Sequence, residues 1–176
     1  MATLRLEKKL VRDGARSVAG VDEVGRGSLF GPVVAAAIIL PPEWLVRRPP
    51  AWAVGVGLAS TTEIDTLNVL RATHLAMARA LESLPDRPDV VLVDGFPIKD
   101  VQYRQMGVPQ GDRKCRSIAA ASIVAKVFRD GLMQIFDGLY EGYGLARNKG
   151  YGTEEHIRSL RERGPTGLHR TSFKLG

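Results

Sequence analysis

Four acidic residues stand where acids are costly. Asp22 and Glu23 interrupt Val18–Val24 (VAGVDEV), a run otherwise small and apolar. Asp94 ends a second apolar run just before Gly95, and Asp112 lies in another loop. Carboxylates at the ends of buried strands need a partner, a proton or a metal ion. A lone strand-end Asp commonly caps a turn. Taken together, the four read as hard oxygen ligands for two Mg²⁺ ions, which leave positions open for water and phosphate oxygens. Such a pair activates a water and stabilises the leaving oxygen of an in-line displacement. No His-rich or Cys-rich cluster competes for zinc. Adjacent strand residues point to opposite faces. Asp22 and Glu23 therefore share a metal only if the strand kinks toward Gly25, or if one contributes through its backbone carbonyl.

Gly25-Arg26-Gly27 follows the acidic pair directly. Glycines let the backbone approach a ligand, and successive N–H groups receive an anion. Arg26 suits a phosphate, and backbone groups here suit a sugar 2′-hydroxyl. In isolation the tripeptide fits a tight hairpin turn with a solvated arginine better; its place beside Asp22-Glu23 reverses that in favour of the ligand. Walker A and Rossmann glycine patterns are absent.

The elements that must hold these residues are legible in outline. Val18–Val24, Val33–Leu40, Ala53–Ala59 and Asp89–Val93 read as strands, with a weak fifth within Gln102–Gly111. The short Gly25–Pro32 turn favours an antiparallel hairpin. Ser60-Thr61-Thr62-Glu63 fits a capping box, and Leu67, Leu70, His74, Ala78 and Leu81 then recur at helical spacing. Ser117–Phe136 and Glu154–Arg163 read as two more helices. Pro41–Pro50 (PPEWLVRRPP) is a connection. The order predicts an α/β layer structure, a mixed sheet flanked by helices.

Composition sets the frame. The 176 residues suit one domain, and their usage is that of an ordinary globular protein. No apolar run reaches the roughly 18 residues of a membrane span, and no signal-like apolar stretch opens the chain, so a soluble cytoplasmic protein is expected. A net charge of +6 is compatible with a polyanionic partner. Aromatic content of 6% argues against a large stacking platform for single strands. His74 reads as a core histidine, His156 as an exposed helix residue and His169 as a packing residue. Cys115, between Lys114 and Arg116, has flanking positive charge that lowers a thiol pKa. Ser117 and Ser122 lack a His-Asp arrangement for nucleophilic catalysis. Lys126 and Arg129 face either a duplex backbone or plain solvent.

These residues add up to a resemblance. VAGVDEVGRGSLFGPVVAAAIILP (18–41) closely resembles the opening of bacterial ribonuclease HII. So do VLVDG (91–95), GDRKCRSIAAASIVAKVFRD (111–130), YGLARNKGYGTEEH (143–156) and GPTGLHRTSFK (164–174). The resemblance implies the ribonuclease H-like fold, a five-stranded mixed sheet flanked by helices, as one catalytic domain over residues 1–176 with a short C-terminal helical extension. It implies a metal-dependent endoribonuclease using Mg²⁺ or Mn²⁺. The enzyme would cut the RNA strand of RNA–DNA hybrids, and cut 5′ of single ribonucleotides in duplex DNA, leaving a 3′-hydroxyl and a 5′-phosphate. By resemblance Asp22, Glu23, Asp94 and Asp112 are the catalytic metal ligands. Gly25, Arg26 and Gly27 read the 2′-hydroxyl and the junction, and Tyr151 packs against the sugar there. A monomer acting on such duplexes, with no membrane attachment, is expected.

Two departures from the family pattern stand out. Ser28 replaces the usual proline after Gly-Arg-Gly, a local change of small expected effect. The lysine-rich Asp-Ser-Lys-Lys-Leu segment and its following helix, between the second and third strands, are missing. Arg47 and Arg48 are candidates to supply some of that charge. The alternative reading is a duplex-binding module that has lost cleavage, and a ribonuclease H-fold nuclease acting on a different substrate, such as a four-way junction, is a second.

Overall fold

The computed structural model describes residues 1–40 and 53–173. Five strands form one mixed sheet: β1 (Val18–Val24), β2 (Val33–Ile39), β3 (Ala53–Ala59), β4 (Val90–Asp94) and β5 (Gln105–Val108). Their order is β3-β2-β1-β4-β5. The first three pair antiparallel, while β4 lies parallel to both β1 and β5. The short turn after β1 gives the antiparallel pair; the long crossover from β3 back to β4 gives the parallel one. The central strands are apolar on both sides because both faces are covered.

Seven helices complete the described residues: α1 (Arg5–Arg12), α2 (Thr61–Leu67), α3 (Val69–Glu82), α4 (Gly111–Lys114), α5 (Arg116–Leu139), α6 (Leu145–Asn148) and α7 (Glu154–Arg163). On one face Ala19 and Val21 of β1 pack with Ala72, Ala76, Met77 and Ala80 of α3. On the other, Val34, Ala36 and Ile38 of β2 meet Ala121 and Ala125 of α5. Gly20 sets the close approach of α5, because a Cβ there would fall 2.2 Å from the Ser117 backbone carbon. None of these helices is long and apolar enough to cross a membrane.

Two elements differ from the sequence expectation. The capping box at Ser60 forms as predicted, but the helix it starts breaks at Asn68. That residue takes φ +71° and its side chain accepts from the N–H groups of Leu70 and Arg71, starting α3 afresh. Leu70 is consequently exposed. The helix α1 had no strong periodic signal; its buried residues are only Glu7 and Leu10. Glu7 turns inward, where Oε1 accepts from both the N–H and hydroxyl of Ser117 at the start of α5. The proline-rich connection, with Arg47 and Arg48, lies outside the described residues.

Candidate active site

Parallel pairing of β1 with β4, Val21 opposite Val93, brings Asp22, Glu23 and Asp94 to one end of the sheet. The strand stays regular through Val24, with Asp22 opposite Ala36 and Glu23 opposite Ala35. It does not kink, so the two adjacent acids leave on opposite faces, as strand geometry dictates. Asp22 is buried, and its Oδ1 accepts the N–H of Glu23 at 2.7 Å. Burial, then the neighbouring charges of Glu23 and Asp94, push its carboxyl from an ordinary 3.8 up to about 7; hydrogen bonds from the Glu23 N–H and the Ser122 hydroxyl act against them. Glu23 is half-buried and receives Nη1 of Arg26 at 3.2 Å. Asp94 Oδ1 accepts the N–H of Gly111 at 2.6 Å, which ties the end of β4 to α4. Asp112, next on α4, is exposed.

Asp22, Glu23 and Asp94 therefore share an end of the sheet, whereas Asp112 stands exposed on α4. Among the described residues, no three His, Cys, Asp or Glu side chains converge closely enough to form a metal shell. The donor chemistry still fits a hard divalent cation. A buried carboxyl beside two others, raised by burial and then by their charge, is the arrangement such a cation relieves.

The Gly-Arg-Gly loop is pinned from beneath by two buried arginines. Arg170 donates to the carbonyls of Gly25 (2.7 Å), Arg26 (2.9 Å) and Gly31 (2.8 Å). Arg129 donates to Ser28 Oγ (2.8 Å), and to the carbonyls of Phe30 (3.0 Å), Pro32 (3.1 Å) and Lys149 (2.8 Å). Gly25 is required here: its φ is +90°, and a Cβ would fall 2.2 Å from Arg129 Nε. With the carbonyls turned inward, the N–H groups of Arg26 and Gly27 make no hydrogen bond among the described residues. The loop thus presents donors. Tyr151 stands beside it: a Cβ on Gly27 would lie 4.0 Å from its ring, and the Arg129 guanidinium sits 5.6 Å from the ring centroid.

Several expectations for single residues are corrected here. Arg129 faces neither duplex nor solvent but is fully buried. Its place on the i, i+4 series Ala121, Ala125, Arg129, Met133, all buried, was the available signal. Lys126, by contrast, is exposed and pairs with Asp130. His156 is also fully buried, not exposed. Thr166 N–H donates to His169 Nδ1, so His169 carries its proton on Nε2 and donates it to His156 Nε2 at 3.1 Å. His156 then donates from Nδ1 to the Tyr151 carbonyl at 3.0 Å, fixing the loop that carries Tyr151. Burial lowers the pKa of both rings, that of His169 to about 4. His74 is half-buried rather than a core residue, and its Nδ1 accepts the N–H of Lys99. Burial lowers its pKa, with Lys99 and Arg26 acting the same way and Glu23 opposing. Burial also raises the Cys115 thiol to about 11, outweighing Lys114. Ser28 has more than a local effect: it is buried, donates to the Phe30 carbonyl at 2.9 Å and receives Arg129.

A five-stranded mixed sheet, helices on both faces and acids at the ends of its two central parallel strands define a protein of the ribonuclease H-like class. Ribonuclease H2 from Pyrococcus horikoshii shares the fold, with a TM-score of 0.68 over 90% of this chain and 94% of that one at 22% identity. The chain belongs to the ribonuclease HII family, whose model matches residues 19–47 and 51–176. Ribonuclease HII of Synechococcus sp. (strain JA-3-3Ab) is 50% identical over 97% of this chain and 87% of its own length. That of Moorella thermoacetica is 48% identical over 96% and 91%. The chain is accordingly an endoribonuclease, a hydrolase, of a family acting on RNA–DNA hybrids.

Proposed function

We propose that this endoribonuclease cuts the RNA strand of hybrids and also cuts 5′ of single ribonucleotides in duplex DNA, with Mg²⁺ or Mn²⁺ as cofactor. The reading takes residues 1–176 as one catalytic domain with a short C-terminal helical extension, acting as a cytoplasmic monomer. Asp22, Asp94 and Asp112 would hold the cations through their carboxylates, Asp112 joining from α4, and Glu23, on the other face of an unkinked strand, would contribute through its backbone carbonyl. Bound cations supply a lowered water pKa and positive charge for the leaving oxygen. The protein's own part is to hold acids at a fixed sheet end and to present the substrate.

The observation that carries the reading is the meeting of the donor-bearing Gly-Arg-Gly loop with Tyr151. Inward carbonyls leave the N–H groups of Arg26 and Gly27, which have no partner among the described residues, facing a 2′-hydroxyl and its phosphate. Tyr151, partly exposed against Gly27, offers its ring to the sugar. DNA lacks that hydroxyl, so the loop discriminates by a hydrogen bond that only a ribonucleotide completes. The 2′-hydroxyl is recognised and does not attack. A binding module without cleavage would gain nothing from Asp22, whose buried carboxyl is costly near neutral pH.

The test is cleavage of a labelled DNA duplex carrying one internal ribonucleotide, in Mg²⁺, Mn²⁺ or EDTA. A single metal-dependent cut on the 5′ side of the ribonucleotide is expected. Asp94→Asn should keep the fold, since an amide oxygen still accepts from Gly111, and should abolish turnover. Cutting in EDTA, or full turnover by that variant, would overturn the metal assignment.

A further inference from the structure

Helix α1 and helix α4 wall an open groove of about 590 Å³. Arg5, Lys9 and Arg12 line it from α1, Arg113 and Lys114 from α4, and Val108 of β5 lies between. All five cations are exposed, and none is paired with a carboxylate among the described residues. No acid lines the groove. The one acid of α1, Glu7, is turned away to cap α5.

This arrangement is unfavourable for the protein alone. Arg5, Lys9 and Arg12 recur at i, i+4 and i+7, so like charges share one helix face. Arg5 also sits at the positive end of the α1 dipole. An array of phosphates relieves both. The groove is continuous with the candidate active site in two ways. Asp112 immediately precedes Arg113 and Lys114 on α4. Val108 is the register partner of Asp94 on the adjacent strand. A duplex with its phosphate to be cut at this end of the sheet thus has the groove as its neighbouring path. From Arg5 to Arg12 the helix rises about 10 Å, the length occupied by about three phosphates of one duplex strand.

We infer that the α1–α4 groove is a second nucleic-acid contact, which holds the phosphate backbone of the substrate duplex beyond the cutting site. This rests on the proposed nuclease reading for its ligand. The groove touches no reacting group, so its work is affinity and register, not chemistry.

The test compares two triple variants that lose the same charge. Arg5→Gln/Lys9→Gln/Arg12→Gln empties one wall of the groove. Arg71→Gln/Arg87→Gln/Arg161→Gln removes three exposed cations that lie off both α1 and α4. Binding of a fluorescein-labelled plain DNA duplex is followed by anisotropy in EDTA across a salt series, and cleavage of a hybrid is followed separately. For the groove variant, the slope of log K against log salt should fall by about 2.7, at about 0.9 per lost phosphate contact. Its KM should rise at least tenfold with kcat unchanged. The control should keep its slope and KM. An unchanged slope in the groove variant, or an equal loss in the control, overturns the inference. The binding arm needs neither metal nor cleavage, so it stands even if the wild-type enzyme fails to cut the ribonucleotide-bearing duplex. Circular dichroism confirms that both variants fold.

Discussion

Replacing Asp22 by Asn should make the metal-free protein more stable while ending its activity. Asp22 is buried, and its carboxyl is pushed up to about 7 by burial and by Glu23 and Asp94. In the unfolded chain it returns to an ordinary value near 3.8. A carboxyl raised in the folded state destabilises above its folded pKa, where it must ionise inside. The penalty is relieved as pH falls through about 7 and is gone near 4. Across a gap of about three decades, at about 1.4 kcal/mol each, the ceiling is about 4 kcal/mol at pH 8. Asn keeps the oxygen that accepts from Glu23 but must place an NH₂ group, so a gain of about 2 kcal/mol is the reasonable figure. Urea denaturation in EDTA at pH 8 and pH 4.5 measures it. The variant should be more stable at pH 8, with the advantage shrinking at pH 4.5. Added Mg²⁺ should stabilise the wild type and leave the variant unmoved. Equal stability at pH 8, or a gain independent of pH, would refute the account of this carboxylate.

Three further outcomes follow from the packing. Glu7→Ala strips the acceptor from the Ser117 N–H and hydroxyl, both buried; a loss of about 2–4 kcal/mol is expected in urea titration. Glu7→Gln, which keeps one acceptor oxygen, should lose less. Gly20→Ala drives a Cβ into the α5 backbone, so about 3 kcal/mol or more of stability should vanish, read as a fall in Tm or as insoluble protein. Cys115, raised to about 11 by burial, should react with an aromatic disulfide reagent far more slowly in native protein than in urea.

Sequence by itself determined four of the five strands to within a residue, and the acids placed at their ends. Val18–Val24 and Glu154–Arg163 have the bounds that pattern alone assigns, because local hydrophobic period and capping chemistry are written in neighbouring residues. The pointing of Asp22 and Glu23 to opposite faces was likewise fixed by the period of two, and the regular register of β1 with β2 leaves it so. What tertiary structure decided is which polar residues go inside. Pattern alone places His156 at the surface, turns Arg129 to a duplex or to solvent and singles out nothing at Arg170, yet each is buried because it satisfies backbone groups the loops would otherwise strand. The same holds for Ser28, where a residue that looks like a loop substitution anchors a guanidinium. Asn68 broke a helix whose periodicity ran on, since its side chain offered α3 a cap that spacing does not reveal. Periodicity reports which face of an element is apolar. Only the assembled loops show which buried carbonyls need a donor, and the carbonyls of Gly25 and Arg26 chose Arg170 from the far end of the chain.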